Sequence, residues 1–294
     1  MATRLLVGTC NWADHAPFYP PGLPPADRLR YYAELFPIVE VDSSFYGIPT
    51  PRTTQRWAAI TPDDFVFNVK AYRSMTGHER VDGRPRRPTA GELAAFEAAL
   101  APLRAAGKLR AVHYQFPPWF TATPENLAEL SALAERHGDD LVAVEFRHRS
   151  FGDPERWPLV MDLLREARLT YCCVDEPQIG SGSMPPLRAV TAELAMVRFH
   201  GRNQRTWYRG GPRSGDRFDY RYTLAELTEW LSPIRELGVA TAEVHLLFNN
   251  NQQNYAVLNA LELASLLQLD RPRLGPSLPA GQTDLPLGAG PRLP

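Results

Sequence analysis

Leu141-Val-Ala-Val-Glu-Phe-Arg-His148 carries the clearest signal for the fold of this chain. In a β-strand, alternate side chains point to opposite faces. One face of this strand carries Val142, Val144 and Phe146 and is apolar up to His148, whereas the opposite face starts apolar and ends with Glu145 and Arg147. A strand that is buried on both sides and becomes charged at its C-terminal end is typical of a parallel α/β barrel, whose sites lie at that end.

The same pattern recurs along the chain. Strands are predicted at residues 5–9, 38–42, 65–70, 110–116, 141–148, 169–175, 194–200 and 242–249. Helices are predicted at 26–36, 52–60, 90–106, 154–167, 223–237 and 254–268, another opens at Thr123-Pro124, and a short or irregular one is expected before the seventh strand. This alternation predicts an α/β fold of the TIM-like (β/α)8 barrel type. The main rival, an open doubly wound sheet, lacks the GxGxxG motif expected after its first strand.

The chain length and composition predict a single domain with a tail. The 294 residues, 44% hydrophobic and 22% charged, are ordinary for a globular protein. Residues 1–269 are predicted to form the barrel. Residues 270–294 contain six prolines and four glycines, which predicts a flexible, disordered tail.

Charge and cysteine content narrow the cellular setting and the partners. A net charge of −1 gives no overall attraction to nucleic acid or to an anionic membrane, although a local basic patch is compatible with it. The three cysteines form no paired framework, which favours a reducing cytoplasm. No apolar run is long enough to span a membrane, and the N-terminus has no signal-peptide pattern. The oligomeric state is left open.

Lysine is rare in this chain. Only Lys70 and Lys108 are lysine among 32 basic residues, and the other 30 are arginine. An ammonium group, unlike a guanidinium, can lose its proton or form a Schiff base. A lysine that is retained in such a sequence is therefore a candidate for chemistry.

Strand alternation also predicts a polar pocket at the C-terminal mouth of the barrel. The polar side chains expected to face the axis are Thr9, Asn11, Glu40, Asp42, Asn68, Lys70, His113, Gln115, Glu145, Arg147, Asp175, Arg198, His200, His245 and Asn249. The opposite, apolar parity, which includes Cys172 and Val174, is expected to face the helices. Because burying a charge costs several kcal/mol per ion, this recurrence favours a functional pocket over a purely structural core.

Four of these residues are candidate catalytic groups. Glu40 and Glu145 could lie on opposite sides of a substrate, as in glycoside hydrolysis. His200 is a candidate general acid or base because an ordinary histidine titrates near neutrality. Lys70 is a second acid–base candidate, although an ion pair with Glu40 on the neighbouring strand is the structural alternative.

Other residues are predicted to bind the substrate. Arg147 and Arg198, with Arg202, could converge on an anionic group. The further predicted substrate-binding residues are Gln115, Asp175, Asn249, Asp42, Tyr46 and Trp12. The two aromatic residues belong to a cluster that could stack on a sugar or a base, or could simply pack the loops.

A metal site is an open alternative. Glu145, Asp175 and His200 could together bind a divalent metal. No HxH or HExxH spacing supports such a site, so no metal ligands are assigned and the cofactor is unknown.

The sequence resembles the DUF72 family, the YecE-like proteins of unknown function, over about residues 5–268. The resemblance is carried by Gly8-Thr-Cys-Asn-Trp12, Phe18-Tyr-Pro20, Val39-Glu-Val-Asp-Ser-Ser-Phe-Tyr46, Phe65-Val-Phe-Asn-Val-Lys70, Gln115-Phe-Pro-Pro118, Val144-Glu-Phe-Arg-His148, Val197-Arg-Phe-His-Gly201 and Phe248-Asn-Asn250. It implies a TIM-like barrel and no established reaction. The family's usual Gly-Thr-Ser-Gly-Trp opening is Gly-Thr-Cys-Asn-Trp here.

The resulting hypothesis is a barrel enzyme that uses acid–base chemistry on a small polar or anionic molecule. Hydrolysis or isomerisation of a sugar or phosphate ester is the reaction class that we expect. Two alternatives stay open. The arginine-rich segments 73–88 and 202–213 suggest a nucleic-acid-processing or nucleic-acid-binding barrel, and the same pocket could serve a non-catalytic small-molecule sensor.

Overall fold

The computed structural model describes residues 3–207 and 217–269 of the chain. The strands are β1 Arg4–Cys10, β2 Ile38–Val41, β3 Val66–Lys70, β4 Arg80–Val81, β5 Arg84–Pro85, β6 Leu109–Gln115, β7 Val142–Glu145, β8 Leu169–Asp175, β9 Leu194–Phe199 and β10 Glu243–Phe248. The α-helices are α1 Arg28–Ala33, α2 Pro51–Ile60, α3 Ala90–Ala105, α4 Pro124–His137, α5 Trp157–Glu166, α6 Leu224–Thr228, α7 Leu231–Ala240 and α8 Tyr255–Leu266. The predicted tail at 270–294 lies outside the described residues.

Eight of the strands close into a barrel. Their order is β1-β10-β9-β8-β7-β6-β3-β2, and every neighbouring pair is parallel. The prediction of a TIM-like (β/α)8 barrel is therefore confirmed. The two short strands β4 and β5 form a separate antiparallel hairpin inside the arginine-rich segment 73–88.

The helical layer departs from a regular barrel in two places. The short or irregular helix that was expected before β9 does not form, since residues 176–193, all of which are described, contain no α-helix. The predicted helix at 223–237 is divided into α6 and α7. No helix within the described ranges is long and apolar enough to cross a membrane.

Threonine caps define where several helices begin. Thr50, Thr89, Thr123 and Thr223 each precede a helix and accept a hydrogen bond from a backbone N–H of its first turn. Such a cap satisfies one of the N–H groups that have no partner inside the helix. These local signals place α2, α3, α4 and α6 directly after the loops of the barrel mouth.

The facing of β1 differs from the prediction. Thr9 points outward, where its Oγ1 lies 3.0 Å from the hydroxyl of Tyr32 in α1. Cys10 points inward instead, and its Sγ lies 3.3 Å from Arg198 Nη2. Asn11 follows the strand in a left-handed conformation (φ 63°) and donates to Asp14 Oδ2 at 3.0 Å. The inward assignment of Thr9 was wrong because an outward hydroxyl partner satisfies its polar group.

The facing of β8 is also the reverse of the prediction. Val174 pairs with Arg198 of β9, and Asp175 pairs with Phe199. Because neighbours in register share a face, Cys172 and Val174 point into the barrel and Asp175 points outward. The polar character of Asp175 was therefore a misleading guide to its direction.

Lys108 has a structural role at the end of α2. Its Nζ donates to the carbonyl oxygens of Ala58 at 2.6 Å and Thr61 at 2.8 Å, and to Thr61 Oγ1 at 3.1 Å. A cation at a helix C-terminus stabilises carbonyl groups that have no partner inside the helix. The compact ammonium group meets three oxygen atoms from one side, which accounts for a lysine at this position.

Replacing Lys108 with methionine is expected to lower the free energy of unfolding by about 2–3 kcal/mol, because buried carbonyl groups lose a charged donor. Urea unfolding measures the change. Arg165→Met, which removes an exposed ion pair with Asp162, serves as control with an expected loss below about 0.5 kcal/mol. Equal, small losses in the two variants would contradict the capping role.

Candidate active site

The barrel axis holds a buried cation between two buried carboxylates. Arg198 of β9 donates from Nη2 to Glu40 Oε1 of β2 at 2.6 Å and from Nη1 to Glu145 Oε2 of β7 at 2.7 Å. His113 of β6 lies against both acids, with Nδ1 3.0 Å from Glu40 and Nε2 3.5 Å from Glu145. We call Glu40, His113, Glu145 and Arg198 the charge ring.

The charge ring keeps its carboxylates ionised. Burial opposes their ionisation, but the neighbouring guanidinium groups outweigh it and hold the pKa of Glu40 and of Glu145 well below the usual range. Burial raises the pKa of the Cys10 and Cys172 thiols, which touch the ring and stay protonated. A general acid needs a pKa near the working pH, so neither glutamate is suited to donate a proton.

Two predictions about Glu40 disagree with the contacts that Glu40 makes in the structure. Glycoside hydrolysis needs open space between its two carboxyl groups, whereas the Arg198 guanidinium bridges Glu40 and Glu145. The expected ion pair between Lys70 and Glu40 does not form, since Lys70 makes no salt bridge within 4.0 Å in the described part of the chain. Arg198, and not Lys70, supplies the cation that Glu40 binds.

Arg147 extends the network from the charge ring toward the mouth. Its Nε donates to Glu145 Oε1 at 2.5 Å, and its Nη1 donates to Glu176 Oε2 at 2.8 Å. The guanidinium carbon also lies 5.5 Å from the centre of the Trp207 ring. Arg147 is therefore neutralised within the protein, and so is Arg198, rather than left open for an anion.

His200 lies in the same network in a neutral state. Its Nε2 is 3.2 Å from Glu145 Oε1 and 2.9 Å from Arg147 Nη2, and its Nδ1 is 2.9 Å from Asn249 Nδ2. Burial and then the Arg147 charge lower the pKa of His200 to about 3. The expectation that His200 titrates near neutrality was therefore wrong, because it used the pKa of an exposed histidine.

Glu176 is a mouth residue that sequence reasoning missed. Its Oε1 accepts a hydrogen bond from the Met184 backbone N–H at 2.7 Å, while its other oxygen binds Arg147. Burial raises the pKa of Glu176 to about 7. The correct facing of β8 would have revealed it, since an outward Asp175 places the next residue on the inner side.

Lys70 ends β3 at the rim of the mouth. Its Nζ donates to Gln115 Oε1 of β6 at 2.9 Å and lies 4.8 Å from the centre of the Phe45 ring. Burial and then the Arg198 charge lower the pKa of Lys70, although Glu40 opposes this effect. The structure thus brings Lys70 and Gln115 together, and the Lys70 amine has a single hydrogen-bond acceptor among the described residues.

Asp42 follows β2 beside Lys70. Within the described ranges, its carboxylate takes part in no hydrogen bond and in no salt bridge within 4.0 Å. Burial raises the pKa of Asp42 to about 6, and the Lys70 charge works against that rise. A carboxyl group with a pKa near neutrality can take up and release a proton at physiological pH.

Aromatic rings border the same side of the mouth. The Phe45 ring lies 4.8 Å from the His78 ring and 5.1 Å from the Tyr46 ring, and Trp119 lies 5.9 Å from His78. Tyr46 is 68% exposed and Trp119 is 44% exposed. We call Phe45, Tyr46, His78 and Trp119 the aromatic rim. Sequence reasoning included Tyr46 but missed Trp119, although it follows the two prolines after β6.

Trp12 contacts helix α2. Its ring meets Trp57 edge to face at 5.3 Å, and both line a cavity of about 360 Å³ with Leu29 and Arg56. The structure therefore places Trp12 at a cavity between α1 and α2.

Asp175 has an outward structural role. Its Oδ2 accepts hydrogen bonds from Trp230 Nε1 at 2.7 Å and Arg202 Nη2 at 2.7 Å, and its Oδ1 accepts one from the Tyr222 hydroxyl at 2.9 Å. These partners lie outside the barrel wall. The prediction that Asp175 binds substrate at the mouth is inconsistent with this position.

The proposed set of metal ligands is not assembled. Asp175 points away from Glu145 and His200, as described above. The ligand atoms of His113, Glu145 and Cys172 do lie within 4.8 Å of one another. However, Arg198 already binds the same Glu145 oxygen, and burial keeps Cys172 protonated. A guanidinium at the ligand atoms does not fit a resident divalent cation.

The arginine-rich segment at 73–88 is largely neutralised. Arg73 and Arg86 bind Glu79, and Arg87 binds Glu129 at 3.1 Å. Arg80 instead lies over the ring of Trp119 at 5.3 Å. Part of the second segment, 208–213, lies outside the described residues. The nucleic-acid alternative stays a prediction.

Comparisons with known proteins agree with this architecture. Residues 6–283 match the family described as "Protein of unknown function DUF72". The UPF0759 protein YunF of Bacillus subtilis (strain 168) is 38% identical over 276 residues, which cover 92% of this chain and 98% of the relative. A DUF72 family protein of Enterococcus faecalis V583 has a crystal structure that superposes with a TM-score of 0.80 at 28% identity, covering 90% of this chain and 96% of the other. A DUF72 family protein of Thermotoga maritima MSB8 gives a TM-score of 0.77 at 31% identity, covering 90% and 99%. The chain therefore belongs to the DUF72 family.

Proposed function

We propose that this protein is an enzyme that performs acid–base chemistry on a small polar molecule at the barrel mouth. Asp42 and Lys70 are the proton-transferring pair, and a sugar or phosphate ester is the substrate class. Hydrolysis or isomerisation is the type of reaction. The observation that carries this proposal is the contrast between these two groups and the charge ring below them.

The charged groups of the charge ring are already paired within the protein. Arg198 and Arg147 each bind carboxylates within 2.8 Å, and the two glutamates of the ring remain ionised. Asp42 and Lys70, in contrast, influence each other's pKa without forming a salt bridge within 4.0 Å. Both groups are therefore available to a ligand at the mouth.

The charge ring lies below Asp42 and Lys70 and forms the rigid floor of the pocket. A buried network in which each ion has a partner resists rearrangement when a substrate binds. Gln115 and Asn249 offer amide groups near the floor, and Tyr46 offers an exposed ring for the apolar face of a sugar. The predicted binding roles of these three residues fit this arrangement.

The proposal is tested by turnover. The purified protein is incubated with a panel of sugar phosphates and simple phosphate esters, and products are followed by NMR. Lys70→Met is expected to lower any turnover by about 10²–10⁴-fold, the usual contribution of a positioned acid–base group. Arg165→Met, on the surface of α5, is expected to keep full activity.

Two results would contradict the proposal. Undiminished turnover in Lys70→Met would place the chemistry elsewhere. Binding of a panel member at the mouth without any turnover would favour the non-catalytic sensor.

A further inference from the structure

The scarcity of lysine becomes more informative once the structure is known. Thirty basic residues are arginine, including the two buried in the mouth network. Lys108 is explained by its three oxygen acceptors at the end of α2. Lys70 has no such explanation, because a cation that only balances charge could be arginine here as elsewhere. The position therefore requires something that an amine does and a guanidinium does not.

The surroundings of the Lys70 amine leave it open to a ligand. Nζ has one hydrogen-bond acceptor in the described chain, Gln115 Oε1 at 2.9 Å, and the face of the Phe45 ring lies 4.8 Å away. Lys108 Nζ, by comparison, is surrounded by three acceptors. Lys70 is also partly exposed at the mouth, whereas Lys108 is buried.

We propose that Lys70 forms an imine with the carbonyl carbon of the substrate, which is a short aldehyde or ketone such as an open-chain sugar. This inference rests on the proposed function and names the reacting group of its substrate. It follows from the position of the amine, its single acceptor and the neighbouring Asp42 carboxylate.

The reaction can be written with chemistry that the site contains. The Asp42 carboxylate takes a proton from the Lys70 ammonium through one bridging water molecule, and the free amine attacks the carbonyl carbon as the C=O π bond breaks. After a proton moves from nitrogen to oxygen, the carbinolamine hydroxyl receives the proton held by Asp42. It leaves as water while the C=N bond forms. The products are a protonated imine, one water and an ionised Asp42, so atoms and charge balance.

The electrostatic environment of Lys70 and Asp42 supports the proposed imine formation. Burial and Arg198 favour loss of the proton from Lys70 and so lower its pKa, while Glu40, Asp42 and Glu145 act in the opposite direction. Burial gives Asp42 a pKa of about 6, which suits a group that must accept a proton and return it.

The chain is well suited to a trapping experiment because it contains only two lysines. The full-length protein is incubated separately with glycolaldehyde, dihydroxyacetone and pyruvate, and any imine is reduced with sodium borohydride. Peptide mapping by mass spectrometry then measures labelling at Lys70, at Lys108 and at the α-amino group. The α-amino group normally has the lowest pKa of the three, about 7.7–8.0, and serves as the internal reference.

Labelling of Lys70 by at least one probe is expected to exceed labelling of the α-amino group by roughly tenfold or more, because the site holds the carbonyl carbon beside the amine. Lys70→Arg is expected to abolish this adduct and leave the reference labelling unchanged. Labelling of the α-amino group without labelling of Lys70 by any probe would overturn the inference. So would equal labelling of Lys70 in folded and urea-unfolded protein.

Failure of the imine proposal can be distinguished from failure of the proposed function. If a substrate from the turnover panel is converted, and borohydride added during turnover neither inactivates the enzyme nor labels Lys70, the imine is excluded and acid–base catalysis stands. If Lys70 is trapped but no substrate is converted, the imine stands and the proposed turnover fails.

Discussion

Arg198→Met is expected to lower the free energy of unfolding by about 3–5 kcal/mol, the usual cost of leaving a buried charge without its partner. Arg198 and the two glutamates that it binds are fully buried. Glu145 keeps Arg147 as a second cation, whereas Glu40 loses its guanidinium and keeps the contact with His113 at 3.0 Å, so Glu40 carries the stranded charge. Urea unfolding monitored by circular dichroism measures the loss.

The loss in the free energy of unfolding caused by Arg198→Met is expected to depend on pH. In the wild-type protein the pKa values of Glu40 and Glu145 are held below the unfolded value, near 4.3, so their contribution is present above that pH and is lost as the pH falls. Without Arg198, burial raises the pKa of Glu40, and protonation then relieves the stranded charge. The difference in stability between variant and wild type should therefore shrink between pH 7 and pH 5.

A second substitution tests whether the stranded charge of Glu40 causes the loss of stability in Arg198→Met. Adding Glu40→Gln to Arg198→Met removes the stranded charge and is expected to recover at least about 1 kcal/mol, a non-additivity typical of residues in contact. Arg165→Met is the surface control, with a loss below about 0.5 kcal/mol. A pH-independent loss with no recovery in the double variant would show that lost packing, and not charge, is responsible.

The barrel could be predicted because each strand carries its own signal. The segment at 141–148 and its counterparts are short and apolar, and helical periodicity separates most of them. Side-chain direction was harder to predict at strand ends. Thr9 and Asp175 are polar, but each has a partner outside the barrel, in Tyr32 and Trp230. A polar residue near a strand end therefore does not reveal which face it occupies.

The composition of the charge ring could be predicted, but its pairing could not. Glu40, Glu145 and Arg198 were all expected at the axis. Arg198 binds Glu40 across 158 residues of sequence because both side chains point to the axis of the closed barrel, where only β10 and β1 separate β9 from β2. Neighbouring strands alone suggested Lys70 for that role. The neutral state of His200 likewise depends on burial beside Arg147, which no local pattern contains.

Asp42→Asn is expected to lower turnover of an identified substrate by about 10²–10⁴-fold, because the amide cannot accept the proton from Lys70. In the wild-type enzyme, activity should rise with pH and level off above about 6, since the reaction begins with an ionised Asp42. An ordinary aspartate would place this rise near pH 3.9. The residual activity of Asp42→Asn should lack the rise near pH 6.

Glu176→Gln is the matched control for this prediction. Among the described residues of the mouth, Glu176 is the other carboxyl group whose pKa burial raises, in its case to about 7, and it binds Arg147 and the Met184 backbone N–H. Burial lowers the pKa of His78 and of His200 to about 3, so neither histidine is expected to cause a rise near pH 6. If Glu176→Gln abolishes the rise and Asp42→Asn retains it, the proton acceptor is Glu176. If both variants keep it, the proton is transferred by a group outside this pair.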